Sequence, residues 1–537
     1  MTLQAKLTLT LLLSIATASL QAAVPDDIRA LAANAKLAPQ ADQRPYDERD
    51  WLERFYGPRL YAPVWQGKAA TAIAVLQGAT ENGLLPSEYQ ADELQQRLLS
   101  GAALDAATDV ALTRAVLHYL ADLRVGRVRS AYHTALPDPR LKAFDPVEQL
   151  RSGVEGNRLA AVAASAEPRV TIYRRVKSAL AHYRVMATAP RITLPALAKG
   201  EKVEVDAPYA AAPELRALLT TLGDLAPGAA VDVDDHYTAE LADAVKHFQA
   251  RHGLLDDGIL GRDTVATMNM PLKARVRQLE LSLERLRWLP DMASGPVIAV
   301  NLPAFRLWAW DTGKPDQPLE MRVIVGSAVK TETPLFVGSM RYIEFNPYWN
   351  VPRSIEKAEL IPKLQKDANY LVKNDMEMVP LKGGAPTQVA DVEGLSAGNY
   401  RVRQRPGPQN ALGAVKFAMP NPDNIYLHST SARELFKRTR RDLSHGCIRV
   451  EKPLELAQFV LAGRPDWEPE KIAAAMEPGE SKTVSLKTPV PVVLFYTTAI
   501  ADAEGHAIFS PDVYKRDPML EKLLGKHDEA KPVVRKP

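Results

Sequence analysis

Cysteine is almost absent from this sequence: Cys447 is the single cysteine among 537 residues. One thiol cannot form an intrachain disulfide, and in an oxidising compartment an unpaired thiol can dimerise or oxidise. A buried structural cysteine is the usual interpretation of such a residue. The neighbouring sequence favours another interpretation, because Cys447 lies in the stretch SHGCIRV, residues 444–450, between a Ser-His-Gly run and an arginine.

Excess charge and metal-binding motifs are also lacking. Lys and Arg total 67 against 64 Asp and Glu, for a net charge of +3. This balance favours neither nucleic acid binding nor electrostatic attachment to a membrane. The 10 histidines are scattered, without an H-E-x-x-H motif or comparable spacing. A zinc amidase is therefore disfavoured.

Long apolar runs are lacking as well, since no later segment approaches the ~20 apolar residues that span a bilayer. The N-terminus carries Lys6, a short apolar run from Leu7 to about Ala16, and small residues at Ala22 and Ala23. This order is typical of a secretory signal peptide. We expect residues 1–22 to be removed and the mature chain to lie outside the cytoplasm without a transmembrane segment; an uncleaved amphipathic start is the alternative.

The length suggests about three domains of ~100–200 residues each. Three- and four-residue apolar spacing predicts helices in the first third, and short β-branched and aromatic runs predict strands from about residue 295. A long segment with a helical pattern interrupts the strand-rich region and reads as a lid or binding loop. The expected division is a helical scaffold over 23–195, a small helical module over 210–272, a strand-rich domain over 295–502 with a capping insertion over 354–420, and a C-terminal extension over 503–537.

The window from Tyr237 to Asn269 predicts a compact helical module. Leu241, Val245 and Phe248 fall on one helical face, and Gly253 stands where a C-terminal cap belongs. The window resembles the three-helix peptidoglycan-binding domain of cell-wall enzymes. The matching residues are Ala244-Val245, Phe248-Gln249, Gly253-Leu254, Asp257-Gly258, Gly261 and Thr264.

Two histidines near Cys447 are candidates for its general base. A thiol is nucleophilic as the thiolate, so a base or cation beside it matters. His428 ends the apparent strand NIYLH, and His445 stands two residues before Cys447. Ser431 and Glu434 form a capping box that predicts a helix over SARELFKRTRR. A strand–helix–turn return would bring His428 to the thiol, so His428 is the expected base and His445 the alternative.

Gly446 and Arg449 each have two interpretations. A sharp turn at Gly446 can aim the amides of Gly446 and Cys447 at one point, which would make an oxyanion hole. A plain turn glycine is the alternative. Arg449 can hold a substrate carboxylate through its fork of donors, or form a surface ion pair with Asp442 or Glu451.

The pair His428-Ser429 followed by Ser444-His445-Gly446-Cys447-Ile448-Arg449 resembles the active-site signature of the L,D-transpeptidases of bacterial cell walls. The resemblance covers roughly Pro296 to Asp502. It includes Val325-Gly326, the T-x-T-P run from Thr331 to Pro334, and N-P-x-W-x-V-P from Asn346 to Pro352.

This resemblance implies a multidomain α+β chain with a mostly-β, sandwich-like catalytic domain, similar to the large periplasmic enzymes of Gram-negative bacteria. It implies Cys447 as nucleophile and His428 as general base, with Ser429 orienting the base through its main chain. It also implies that the enzyme needs no metal and no cofactor. His445 and Gly446 would line the oxyanion pocket, and Arg449 would bind the peptide stem. Tyr348 and Trp349 can line the groove or pack in the core.

The implied reaction joins third-position diamino acids of two peptidoglycan tetrapeptide stems through a Cys thioester, with release of D-Ala. The implied partners are donor and acceptor stems, with carbapenem-type inhibitors reacting at the same thiol. A water acceptor would make the enzyme an L,D-carboxypeptidase or endopeptidase, and a lipoprotein lysine would make it an anchoring transpeptidase. A non-catalytic wall-binding scaffold is the alternative from another class.

Overall fold

The computed structural model describes residues 24–35, 46–100, 104–128, 132, 139–228, 235–291 and 294–525. The expected signal peptide and the last residues of the C-terminal extension, 526–537, lie outside the described residues. Within the described ranges, no helix combines the length and the apolar character that a bilayer crossing requires.

The N-terminal third is a helical layer around one long central helix, Ala106–Val125. This helix is buried on nearly all sides, as a helix surrounded by others must be. Its buried Asp109 accepts hydrogen bonds from the Tyr56 hydroxyl at 2.6 Å and from the Trp65 amide at 3.0 Å. The surrounding helices are 24–33, Glu48–Tyr56, Ala69–Gln77, Ala91–Leu99, Pro139–Phe144, Pro146–Glu155, Leu159–Ala166 and Thr171–Met186.

The second unit has three helices, Ala212–Leu222, Ala239–Arg251 and Arg262–Met268, and a two-stranded pairing of Lys202–Val203 with Leu260–Gly261. Leu241, Val245 and Phe248 are buried together, which confirms the predicted helical face. Gly253 has φ +65° just beyond the second helix, and the Leu254 amide closes back on the Gln249 carbonyl at 3.0 Å. The glycine therefore ends the helix as predicted.

The helix Leu272–Arg287 joins this unit to the strand-rich domain. The same helix also contacts the N-terminal helical layer. Its Glu284, fully buried, accepts the amides of Arg127 and Val128 at 2.7 and 2.9 Å and pairs with Arg287 at 2.9 Å. Arg287 in turn donates to the carbonyl of Asn82 at 2.8 Å. A buried ion pair with its remaining lone pairs satisfied thus connects the helical layer to this helix.

The strand-rich domain is built on nine strands whose sheet closes on itself. In spatial order the strands are Asp442–Ser444, Lys314–Gly326, Ile448–Val450, Leu427–His428, Val415–Ala418, Phe336–Phe345, Lys482–Phe495, Pro296–Asn301 and Arg306–Asp311, and the last pairs back with the second. The mixed α+β chain with a mostly-β domain is the fold class that the sequence predicted.

In four neighbouring strands of this sheet, polar side chains point to one face and apolar side chains point to the other. The registered row Glu344, Lys416, His428 and Arg449 alternates with the row Ile343, Phe417, Leu427 and Ile448. Because side chains alternate along a strand, the two rows face opposite sides of the sheet. The second row belongs to the main apolar core. We call the face of the first row the polar face.

The capping insertion differs from its expected form. Besides helical segments it contains the paired strands Met376–Pro380 and Tyr400–Gln404, and it has an apolar core of its own. The strand Trp349–Asn350, just before the insertion, pairs with Tyr400–Gln404 to complete a three-stranded sheet. The main sheet resumes at Val415–Ala418, before the expected end of the insertion at 420. The strands were missed because they are short and separated by Gly- and Pro-rich loops. The helical segments are Arg353–Ile355, Glu356–Leu360 (a π-helix), Ile361–Lys366, Tyr370–Lys373 and Val392–Ala397.

The helix expected over SARELFKRTRR does not form. The segment contains only a 3-10 turn, Arg433–Lys437, whose N-cap residue is Ala432 without a side-chain cap bond. Arg438 is already extended, since the chain must enter the strand Asp442–Ser444. Ser431 and Glu434 therefore form no capping box. The remaining elements are the helices Pro453–Val460, Pro469–Met476 and Arg516–Leu524, and the hairpin Ala499–Ala501 with Ala507–Phe509.

We predict that Glu284→Gln lowers the thermal midpoint of the first unfolding transition by roughly 6–12 °C. Removing one partner of a buried ion pair costs about 3 kcal/mol, and that loss shifts the midpoint of a domain this size by that amount. Differential scanning calorimetry measures it. The half-exposed Glu240, paired with Arg216 at 2.9 Å, is the matched control, and Glu240→Gln should shift the midpoint by about 2 °C or less. Equal shifts in the two variants would contradict the assignment.

Candidate active site

The SHGC turn, residues Ser444–Cys447, joins the strand Asp442–Ser444 to the strand Ile448–Val450. Gly446 has φ +113°, a conformation that a side chain would strain. The Ser444 hydroxyl lies inside the turn and donates to the Cys447 carbonyl at 2.6 Å. A short internal hydrogen bond and a glycine therefore fix the direction in which Cys447 leaves the turn.

The two-amide oxyanion hole expected here is not present in this form. The Gly446 amide donates to the Ser444 hydroxyl at 3.2 Å, so it is already engaged within the turn. Among the described residues the Cys447 amide has no protein acceptor. The turn can therefore offer one amide, that of Cys447, to an oxyanion without breaking an existing bond. The reason for the difference is the serine side chain, which reaches back over the glycine.

His428 is buried on the polar face, at the end of the strand Leu427–His428. Its Nδ1 lies 2.6 Å from the Ser429 carbonyl, which can only accept, so in the neutral ring Nδ1 carries the proton and Nε2 is the unprotonated nitrogen. Burial lowers the pKa of His428 to about 3, and the positive charge of Arg449 acts in the same direction. The imidazole is neutral at ordinary pH and can act as a base.

Cys447 is half-buried, and its thiol lies 3.5 Å from the Asn424 carbonyl, to which it donates. Burial raises the pKa of the thiol above its ordinary value. The main chain and the hydroxyl of Tyr426, together with the charge of Lys416, counter part of that effect. The resting thiol and the imidazole are therefore both neutral.

Tyr426 is the residue that connects the thiol and the histidine. Its ring lies 5.7 Å from the His428 ring, and the Cys447 thiol and the Trp349 side chain lie close enough to its hydroxyl to act on its pKa, the thiol raising it and the indole lowering it. Burial raises the pKa of the tyrosine, so the hydroxyl keeps its proton. Sequence reasoning missed Tyr426, although the two-residue repeat in NIYLH already puts it on the same strand face as His428.

Arg449 follows Cys447 by two residues and pairs in register with His428. Neither carboxylate expected as its surface partner is available: Asp442 pairs with Arg440, and Glu451 pairs with Arg322. Within the described part of the chain the buried Nε of Arg449 has no hydrogen-bond partner. The structure therefore removes the surface ion pair as an interpretation and leaves a guanidinium on the polar face.

His445 turns away from the thiol toward the capping insertion. Its Nε2 lies 2.6 Å from Glu359, in the π-helix of the insertion. The hydrogen bond with His445 lowers the pKa of the Glu359 carboxyl. The ring of His445 is thus occupied by the insertion, and this geometry favours His428 over His445 as the base.

The structure places the two aromatic candidates, Trp349 and Tyr348, in different surroundings. Trp349 lies against the hydroxyl of Tyr426 and so borders the polar face. Tyr348 instead stacks under the guanidinium of Arg403, 4.1 Å from the ring centre, within the insertion. In the residues that the structure covers, no group of three His, Cys, Asp or Glu side chains is arranged to hold a metal ion.

Three parts of the chain match known protein families. Residues 295–492 match the L,D-transpeptidase catalytic domain (YkuD), residues 210–268 match the "Putative peptidoglycan binding domain", and residues 50–180 match the "Scaffold domain". The chain therefore contains an L,D-transpeptidase catalytic domain and a peptidoglycan-binding domain, as the resemblance of the motifs implied.

One curated relative and two solved structures are similar to parts of this chain. A protein of Haemophilus influenzae named "Putative L,D-transpeptidase" is 35% identical over 244 residues, 45% of this chain and 48% of the relative. The match thus spans about half the length of that relative. Two solved structures, both of L,D-transpeptidases, are also similar: one from Xylanimonas cellulosilytica (16% identity, 57% of this chain, 100% of that chain, TM-score 0.19) and one from Stackebrandtia nassauensis (15%, 57%, 97%, TM-score 0.22).

We predict that alkylation of Cys447 by iodoacetamide keeps accelerating as the pH rises past 9. The reactive form is the thiolate, and a pKa above the ordinary value moves its appearance to higher pH. Mass spectrometry of the alkylated protein over a pH series measures the rate. A plateau reached below pH 7 would contradict a neutral resting thiol.

Tyr426→Phe should slow the same alkylation at pH 8 by about tenfold, the effect of raising the thiol pKa by one unit. The variant keeps the ring beside His428 and removes only the hydroxyl that stabilises the thiolate. Tyr370→Phe, on the capping insertion, is the control and should leave the rate unchanged. Unchanged alkylation in Tyr426→Phe would show that the hydroxyl does not act on the thiol.

Proposed function

We propose that this protein is an L,D-transpeptidase that crosslinks peptidoglycan through a thioester on Cys447. One observation carries the proposal: Tyr426 lies beside both a neutral imidazole, that of His428, and the chain's lone thiol, on the polar face of a domain that matches the L,D-transpeptidase catalytic domain. The substrate is a tetrapeptide stem, cleaved between its third residue, a diamino acid, and the terminal D-Ala.

In the acylation step the Cys447 sulfur attacks the carbonyl carbon of the third residue. His428 Nε2 accepts the thiol proton as the C–S bond forms, and then gives it to the nitrogen of the departing D-Ala as the C–N bond breaks. The neutral resting pair means that the thiolate forms only as the substrate carbonyl arrives. The thioester stays on the enzyme after D-Ala leaves, so donor and acceptor bind in turn.

In the transfer step the side-chain amine of a second stem attacks the thioester carbon. His428 takes a proton from that amine, the new amide bond forms, and the sulfur leaves and recovers its proton. The Ser429 carbonyl keeps the Nδ1 proton in place through both steps, so the same nitrogen serves as base and acid. The product is a bond between two third-position residues.

Two further groups support the chemistry. The amide of Cys447 can bind the oxyanion of each tetrahedral intermediate, and removing one such donor costs other enzymes about 3–4 kcal/mol of barrier. The guanidinium of Arg449, on the polar face and with a buried Nε that has no hydrogen-bond partner among the described residues, suits a carboxylate of the stem. We assign Trp349 to the groove wall, and we leave Tyr348 outside the site because it stacks on Arg403.

The rest of the chain serves delivery and protection. We propose the domain division given above, with the insertion excluding water from the thioester and with the peptidoglycan-binding domain raising the local stem concentration. We also propose that residues 1–22 are a signal peptide and that the protein works in the periplasm, where its substrate lies. A role in cell shape would follow from the crosslinks.

We predict that a carbapenem adds its mass to the wild type and not to Cys447→Ala, because the β-lactam carbonyl is attacked by the same sulfur. Intact-protein mass spectrometry measures the adduct, and peptide mapping locates it. The Cys447→Ala variant should keep the wild-type thermal midpoint, which separates loss of the nucleophile from misfolding. Failure of the wild type to form an adduct at Cys447 would overturn the assignment, and a non-catalytic wall-binding scaffold would then be favoured.

His428→Ala should slow carbapenem acylation by about 10²- to 10⁴-fold, the usual contribution of a general base. His445→Ala is the matched control: its ring bonds Glu359 instead of the thiol, so acylation should change by less than about tenfold. Stopped-flow fluorescence of acylation measures both variants. The reverse result, a tolerant His428 and an essential His445, would make His445 the base.

The products formed from purified tetrapeptide stems show which acceptor the enzyme uses. Crosslinked dimers with release of D-Ala are the expected product, measured by mass spectrometry. Tripeptides alone would indicate a water acceptor and an L,D-carboxypeptidase. If a lipoprotein lysine competed better than a second stem, the enzyme would be an anchoring transpeptidase.

A further inference from the structure

A buried threonine holds the SHGC turn from the side opposite the polar face. The Thr333 hydroxyl donates to the Gly446 carbonyl at 2.7 Å and accepts the Gly326 amide at 2.8 Å. The residue is fully buried, and its hydroxyl uses its one proton and one of its lone pairs. This residue belongs to the TETP loop, residues 331–334, for which the proposed reaction gives no role.

The C-terminal extension completes this arrangement through Tyr514. Its hydroxyl donates to the Gly326 carbonyl at 2.7 Å and accepts the Thr333 amide at 3.3 Å. The tyrosine is itself held, since its amide donates to the Tyr496 hydroxyl at 3.0 Å and the two rings stack at 5.7 Å. Two hydroxyls, from Thr333 and Tyr514, thus bridge the loop, the strand end at Gly326 and the SHGC turn.

Close packing leaves this loop little freedom. A Cβ added at Gly326 would lie 2.0 Å from the Thr331 carbonyl oxygen and 2.7 Å from the Thr333 nitrogen, so the loop passes directly over the glycine. Thr331 also donates through its hydroxyl to the Ser444 carbonyl at 3.0 Å. The turn is therefore bonded to the loop at its first residue, Ser444, and at its third, Gly446.

Because the peptide group is planar, the hydrogen bond from Thr333 to the Gly446 carbonyl also sets the direction of the Cys447 amide. The Gly446 carbonyl and the Cys447 amide belong to the same planar peptide group, and in a trans peptide they point in opposite directions. When Thr333 fixes the carbonyl on the buried side, the Cys447 amide must point to the other side. That amide is the oxyanion donor left free by the turn.

We infer that Thr333 and Tyr514 are positioning residues that hold the Gly446–Cys447 peptide so that its amide faces the oxyanion. This inference rests on the proposed acyl transfer at Cys447 and adds two residues outside the SHGC turn to it. Loss of the Thr333 hydroxyl frees the peptide to rotate, which withdraws the donor without removing the thiol, the base or the amide itself.

Two reactions of the same thiol test the inference. Acylation by a carbapenem passes through an oxyanion, whereas alkylation by iodoacetamide displaces iodide at a saturated carbon and forms none. We expect Thr333→Val, which keeps the shape and loses the hydroxyl, to slow acylation by about 10²-fold, near the loss of one oxyanion donor. Alkylation should stay within about threefold of wild type, because it needs only the thiolate.

Three further variants sharpen the experiment. Thr333→Ser keeps the hydroxyl and should restore acylation to within about threefold of wild type, and Tyr514→Phe should slow acylation by about tenfold with alkylation unchanged. Thr188→Val and Tyr61→Phe, both in or beside the helical scaffold, are the matched controls and should behave as wild type. Should Thr333→Val fail to fold by circular dichroism, Tyr514→Phe carries the test alone.

The outcomes are separate from those of the proposed function. A parallel fall of acylation and alkylation in Thr333→Val and Tyr514→Phe, or wild-type acylation in both, would overturn the inference and leave the acyl transfer intact. Absence of acylation in the wild type would instead overturn the proposed function. A selective loss of acylation that Thr333→Ser reverses would support the positioning role.

Discussion

Strand alternation in four registered strands is the constraint on which the site depends. The same four strands place Ile343, Phe417, Leu427 and Ile448 in the apolar core and Glu344, Lys416, His428 and Arg449 on the opposite, polar face. A shift of one residue would turn the charged row into the core. The apolar row therefore fixes the register, and the register delivers the imidazole and the guanidinium to the face that the thiol shares.

The electrostatics of the site follow from the same burial. Burial lowers the pKa of His428 and raises that of Cys447, so the protein holds both groups neutral instead of storing a thiolate–imidazolium pair. A neutral thiol is less prone to oxidation than a thiolate, which suits the extracytoplasmic location proposed above. A raised pKa lowers the fraction of reactive thiolate. Tyr426 offsets part of that loss, because its hydroxyl and main chain stabilise the thiolate when it forms.

The sequence predicted the class of the catalytic domain, because the motif around Cys447 is long and ordered. The roles assigned to the site residues stay a prediction, and the structure turns His445 and Tyr348 toward the insertion. The helix expected after Ser431 failed because the segment has too few residues to form a helix and still reach the strand at Asp442. The two-amide pocket failed because the Ser444 side chain competes for the Gly446 amide. Tyr426 could have been found from strand alternation alone.

Contacts between distant parts of the chain could not be predicted in this way. The Tyr514 hydroxyl bonds a carbonyl 188 residues earlier, and no local pattern marks that partnership. This spacing has a consequence for biogenesis. During synthesis Cys447 emerges well before Tyr514, so the nascent chain carries its thiol through a period in which the peptide beside it is incompletely anchored. Full acyl-transfer competence would then arise only after folding of the last segment, as a maturation step that needs no proteolysis.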